Sequence, residues 1–358
     1  MKNSARTVQI PLLLFLILCL HPAAFGQQAG KWRVRNRLQT SYEFDNNIRE
    51  NPSDSLGRIN DSSLRFIFHS QATRTNPKSR LTFSYQGGLQ SYVRNSIENK
   101  LINEVQFSAN HKLGRMLLGV RGRGRLKIYL NDILDYSTGA IELFFRPPNI
   151  FRFGNEVALK ASAIAYQNFP AFDYSVNELR WSVSRKLSSR LIGAFTLSGR
   201  QVTYDRSALS FNPVDSLRVN NFDQKDRLLN AQWQLNYTKS FLVNFKYSFQ
   251  YNNSNSFGYS FVKHQFILIL GFPVASSVWL RGYTAFQSKN YSEKAIPIFP
   301  TDVDTEREES NFFVIDLSRD FKPNLTALVR LAYYNNESII RSQFYRKLLL
   351  TAGFDFRF

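Results

Sequence analysis

The amino-acid sequence predicts an all-β fold: a transmembrane, antiparallel, up-and-down β-barrel of about sixteen strands, or fourteen if its two least regular runs are not strands. Three observations carry this expectation. Apolar and polar residues alternate with a period of two over most of the chain. The connections between the alternating runs are short and long by turns. The N-terminus carries an export leader, and nothing beyond it is long and apolar enough for a membrane helix.

The leader comes first in the chain. Lys2 and Arg6 form a positive start, Ile10 to Leu20 is an apolar run, and Ala24-Phe25-Gly26 is a small-x-small cleavage site. The run is about half of the ~20 residues that a bilayer core demands, so a signal peptide over 1–26 fits better than an anchor helix. Residues 27–358 are then the barrel domain. Cys19, the single cysteine, falls inside the leader behind Leu18, where a lipoprotein signal has a small residue. Its removal leaves no disulfide and no thiol chemistry. The whole chain is 43% hydrophobic and 20% charged, too apolar for disorder. It carries 46 Lys and Arg against 27 Asp and Glu, a formal charge of +19. Such a balance suits nucleic acid, anionic lipid or an anionic solute. Export excludes nucleic acid and leaves the other two.

The first run sets Trp32, Val34, Leu38, Thr40, Tyr42 and Phe44 on one face and Arg33, Arg35, Arg37, Gln39, Ser41 and Glu43 on the other. Successive side chains of a strand point to opposite faces, so this is strand periodicity. The pattern returns in runs that start near 63, 81, 101, 116, 137, 150, 177, 191, 227, 241, 259, 277, 311, 325 and 344. The clearest is Phe241, Val243, Phe245, Tyr247, Phe249 and Tyr251, interleaved with Asn244, Lys246, Ser248 and Gln250. The runs near 137 and 311 are the least regular.

Short turns contain Asn76-Pro77-Lys78, Gly114-Arg115, Pro147-Pro148-Asn149, Ser188-Ser189-Arg190, Pro273 and Lys322-Pro323-Asn324. Longer links lie near 45–62, 95–100, 131–136, 167–176, 205–226, 253–258, 290–310 and 335–343. Outer-membrane barrels have this asymmetry, with short periplasmic turns and longer outside loops. Every proline after the leader is expected in a connection, because proline cannot donate to a strand ladder. A secreted β-sandwich would also alternate, but its strands run to about five or six residues, and these are longer.

The chain ends on Leu348, Leu350, Ala352, Phe354, Phe356 and Phe358, one face of a last strand. This resembles the C-terminal signal of Gram-negative outer-membrane proteins, which closes on a terminal Phe. The resemblance implies that Leu350, Phe354, Phe356 and Phe358 are read by the barrel-insertion machinery. The overall plan resembles porin-like outer-membrane barrels. Tyr42-Glu43-Phe44-Asp45-Asn46-Asn47-Ile48 is also similar to the opening of a β-barrel porin family. Outer-membrane lipid and lipopolysaccharide are then implied surroundings. With a strand already expected from residue 32, neither a plug domain nor a helical-repeat domain is expected between the leader and the barrel.

Parity assigns a lumen face. Arg121, Arg123, Arg125 and Lys127 share one side of their run, while Val120, Gly122, Gly124, Leu126 and Ile128 share the other. At the membrane midplane each cation on the lipid face would cost about 2–4 kcal/mol, so the ladder must point inward. Arg33, Arg35 and Arg37 join it. Rings of Arg and Lys suit anion or phosphate pores. An equally open reading is a lumen cross-braced by Glu104, Glu142, Glu156 and Glu178. The link at 290–310 carries Glu293, Asp302, Asp304, Glu306, Glu308 and Glu309, half a circumference from the ladder. It is read either as a solvated acidic loop or as one side of a transverse field. The repeated strings Asn51-Pro52-Ser53-Asp54-Ser55-Leu56 and Asn212-Pro213-Val214-Asp215-Ser216-Leu217 hint at a duplicated half-barrel, though no strand similarity accompanies them.

Little here suits catalysis. His69 and Ser70 are adjacent and so face opposite ways, and His111 falls near a short turn. The HExxH zinc motif, the nucleophile elbow and phosphate loops are absent from the sequence. Asp302-Val303-Asp304 lacks the spacing and glycine of a calcium loop. The expectation is a channel with a basic lumen and no cofactor, not an enzyme. It would pass small or anionic solutes or export an anionic glycan. The alternative is a filled barrel acting as scaffold or accessory of a secretion or surface-assembly system.

Overall fold

The computed structural model describes residues 30–50, 57–130, 135–149, 151–212, 216–293, 311–336 and 345–358. The leader at 1–26, most of the acidic link, the repeated string at 51–56 and half of the one at 212–217 lie outside these residues. Sixteen strands follow one another: β1 Arg33–Asp45, β2 Asp61–Thr75, β3 Ser79–Tyr92, β4 Lys100–Leu113, β5 Met116–Tyr129, β6 Tyr136–Arg146, β7 Phe153–Tyr166 and β8 Tyr174–Lys186. Then come β9 Leu191–Asn212, β10 Ser216–Thr238, β11 Leu242–Ser254, β12 Phe261–Ala275, β13 Val278–Tyr291, β14 Asn311–Lys322, β15 Leu325–Asn336 and β16 Tyr345–Arg357. Each pairs with its neighbours in the chain, and β16 pairs with β1, so the sheet closes into one antiparallel barrel. The irregular runs near 137 and 311 are β6 and β14, which settles sixteen over fourteen.

The barrel is turned inside out relative to a soluble protein. Glu43, Asp45, Glu104, Glu142, Glu178 and Asp355 are buried, whereas Tyr42, Leu143, Leu159, Leu179, Val329 and Phe354 are exposed. A sandwich would bury the second group. An apolar exterior on a closed sheet, where every backbone group finds a partner without a free edge, is the arrangement a bilayer requires. No helix among the described residues is long and apolar enough to cross a membrane.

Two sequence expectations need correction. Pro273 lies within β12, not in a turn. It sits next to a register shift between Pro273 and Ala275, where a missing N–H removes no regular ladder bond. The link expected at 205–226 is largely strand: β9 and β10 run for 22 and 23 residues and pair beyond their neighbours, with irregularities between Val219 and Lys225. Its polar composition reads as loop because this part of the hairpin has no lipid to face.

The closing seam pairs Arg37–Asp45 of β1 with Arg357–Leu349 of β16. The Asn36 N–H donates to the Phe358 carbonyl at 2.8 Å, and the Phe358 N–H returns to the Asn36 carbonyl at 3.0 Å. Gly353 makes the seam tight: a Cβ there would overlap the Thr40 carbonyl oxygen and the Ser41 side chain. Leu350, Phe354, Phe356 and Phe358 all stand exposed on the outer face.

Candidate functional site

The inner wall of β4 to β9 collects the charge. Register sets Glu104 of β4 opposite Arg125 of β5, and Glu142 of β6 opposite Arg121. Glu104 Oε2 accepts from Arg123 at 2.7 Å and from Arg125 at 2.8 Å. Arg121 pairs with Glu142 at 2.5 Å and with Glu156 of β7 at 3.3 Å. Glu156 also holds Arg146 at 2.7 Å, and Arg180 of β8 spans Glu142 and Glu156 at 2.8 and 3.2 Å. Arg200 of β9 continues the chain to Glu178 at 3.2 Å. The ladder is therefore braced, and within this network arginines outnumber carboxylates.

One aromatic ring organises the centre of the network. Phe144 points inward and is buried, with the Arg121 guanidinium 3.9 Å from its centroid and that of Arg146 at 5.3 Å. Gly119 leaves it room, since a Cβ there would run into the Phe144 ring. Lys127 differs from its companions: it is buried, its ammonium 4.8 and 5.3 Å from the Tyr129 and Tyr136 rings. Within this network Arg123 is the most exposed cation, with 49% of its side chain accessible at mid-strand. It borders an inner recess of about 470 Å³ shared with Gln106, Arg121, Arg125, Glu142 and Ser162.

Arg33, Arg35 and Arg37 occupy the short-turn end of the inner wall, where Arg37 pairs with Asp355. They are separate from the β5 ladder. Near the long-loop end a second cluster joins Glu43 to Arg65 at 2.6 Å, and Lys347 to Asp45 at 2.8 Å and Glu50 at 3.3 Å. Arg330 meets Asp316 there through Nε at 2.6 Å and Nη2 at 2.9 Å. In the long-loop halves of β9 and β10, Arg206 lies over the Tyr204 and Tyr259 rings and donates to Gln224 at 2.9 Å. Burial pushes the Tyr259 phenol above its ordinary range, with Arg206 opposing. Opposite the charged wall, beside the Asp316–Arg330 pair, the lining carries an apolar and aromatic patch. Val314 and Ala332 are buried, and Phe312 packs between Tyr283 and Tyr334 at 4.8 and 5.8 Å.

Of the acidic link, Glu293 alone is described. Its carboxylate accepts the Gly258 N–H of the β11–β12 connection, which ties it to a neighbouring loop and away from the ladder. Asp302, Asp304, Glu306, Glu308 and Glu309 lie outside the described residues. Two histidines face outward and bond hydroxyls: His111 to Ser79 at 2.7 Å and His264 to Tyr247 at 2.8 Å. Among the described residues no group of three His, Cys, Asp or Glu could hold a metal.

Sequence parity places the ladder and the carboxylates Glu104, Glu142, Glu156 and Glu178 on one face, but it does not give their pairing with the arginines, and it misses Phe144. Which Glu meets which Arg depends on register between strands, and Phe144 reads as just another aromatic of an irregular run.

No family model matches the chain, and no curated protein is similar to it in sequence. Solved structures do match. OpdK of Pseudomonas aeruginosa, solved with vanillate, aligns over 91% of this chain and 99% of its own, at 8% identity and a TM-score of 0.50. An anion-selective porin from Comamonas acidovorans aligns over 91% and 99%, at 8% identity and a TM-score of 0.48. At such identities the likeness is one of fold: a closed barrel of the outer-membrane type.

Proposed function

We propose that this chain is a passive, non-enzymatic outer-membrane channel whose basic inner wall favours small anionic solutes. The observation that carries the reading is Arg123. It points into the lumen from the middle of β5, yet about half of its side chain is exposed, so space lies in front of the ladder. A sixteen-strand barrel is wide enough for an aqueous passage. The excess of arginine over carboxylate keeps the wall positive even with every Glu paired. The same surface suits an anionic glycan leaving the cell.

The bracing itself favours a second reading. Glu104, Glu142 and Glu156 each join two or three arginines, as in a filled barrel that serves as scaffold or accessory of a secretion or surface-assembly system. Conductance in planar bilayers separates the two. The channel gives discrete openings and, under a salt gradient, a zero-current potential on the anion side. A full-length, heat-modifiable barrel that inserts without conducting would reject the channel and leave the scaffold.

A further inference from the structure

The outer wall of β7 to β11 carries a second candidate site, facing the membrane. Four outward side chains stand in one cross-strand row: Asn177 opposite Gln201, Gln201 opposite Arg227, and Arg227 opposite Asn253. All four are exposed, and none of their side chains has a hydrogen bond or ion pair among the described residues. Lys225, also exposed, is the next residue on that face of β10. The row borders a concavity of about 880 Å³ whose lower part is lined by Leu143, Leu159, Leu179 and Leu229. Its floor is open at Gly199, where a Cβ would meet nothing within 4 Å.

Height decides what this concavity meets. Arg227 lies eleven residues above Thr238, the short-turn end of β10. At about 3.4 Å per residue and a tilt of about 40°, that is roughly 29 Å along the barrel axis. The apolar band of such barrels is about 25 Å tall, so Arg227 and Lys225 emerge at the far interface. That is the long-loop side, the outer face in bacterial barrels. Below the row the outward residues of β10 are Leu229, Ala231, Trp233, Leu235 and Tyr237, which are lipid-facing in kind. Two unpaired cations suit phosphate, the three amides suit sugar hydroxyls, and the leucine-lined hollow suits acyl chains.

We propose that this concavity binds the phosphorylated glycolipid of the outer leaflet, lipopolysaccharide. Arg227 and Lys225 hold its phosphates, Asn177, Gln201 and Asn253 its sugar, and the hollow over Gly199 an acyl chain. The site does not depend on whether the barrel conducts.

The test uses the full chain folded in detergent, titrated with purified rough-type lipopolysaccharide and separately with phosphatidylcholine, and read by native mass spectrometry. Wild type should retain the lipopolysaccharide adduct in preference to phosphatidylcholine. The double variant R227Q/K225Q should lose at least ten-fold in lipopolysaccharide affinity with heat-modifiability unchanged. Gly199→Leu, which fills the hollow and leaves both charges, should weaken the same adduct and serves as the readout if the double variant does not fold. Unchanged lipopolysaccharide binding in a folded variant, equal retention of phosphatidylcholine by wild type, or a dimer mass in place of the lipid adduct would overturn the site.

Discussion

At the scale of single residues, the inner wall is a matter of which carboxylate neutralises which guanidinium. The triple variant Arg121→Gln, Arg123→Gln, Arg125→Gln removes three cations and strips Glu104 of the charges of Arg123 and Arg125, while leaving Glu142 and Glu156 with Arg180 and Arg146. The local potential should turn toward negative. The zero-current potential should therefore move to the cation side, more in dilute salt, because fields are screened beyond about 10 Å at 0.1 M. An unchanged potential at low salt would place the selective region elsewhere. Gly119 is a second sensitive position. Valine there must displace the Phe144 ring, overpacking that costs about 1–3 kcal/mol, and Arg121 and Arg146 lose their shared aromatic surface. Urea unfolding should show the loss, and wild-type stability in the variant would contradict it. The inward direction of Arg121 was legible in its sequence neighbours Val120 and Gly122. The contact with Glu156, two strands away, was not, since period-two patterning says nothing of lateral register.

Among the elements, β16 has two tasks, to present Phe354, Phe356 and Phe358 outward and to close on β1. Deleting Phe358 removes the residue whose backbone makes the last pair with Asn36 as well as its exposed ring. Membrane-inserted, heat-modifiable protein should fall several-fold, and normal levels would show that the terminal aromatic is dispensable. The β9–β10 hairpin marks the limit of what alternation reveals. Within the bilayer, Leu197, Phe195, Trp233 and Leu235 must face lipid, and the pattern is plain. Beyond it, Ala208 and Leu209 are both buried although consecutive, and Ser207 and Ser210 flank them, so the strands stay paired without a hydrophobic period of two to announce them. Pro273 misleads for the opposite reason: its missing donor usually marks a turn, but a register shift accommodates it inside β12.

For the whole molecule, sidedness follows from the unequal connections. Protease applied to intact cells should cut near residues 55, 215 and 303 and spare those near 77, 148 and 323. Preferential cutting of the second group would invert the topology and would also put Arg227 at the periplasmic interface. Strand number and membrane character were readable from the chain because each rests on local pattern. The path through the lumen was not, because it depends on side chains from many strands meeting across the interior. The ring formed by β1 and β16 has a further consequence, in time rather than in space. A sheet with edges can lose its outermost strand first and unravel stepwise. This one has none to lose, and β1–β16 is its sole ladder with no turn to hold the two strands together. Breakdown must wait for a long stretch of that ladder to part at once, so the protein's persistence is governed by a rate and not by an equilibrium. Once inserted, such a barrel outlives the conditions that favoured its folding.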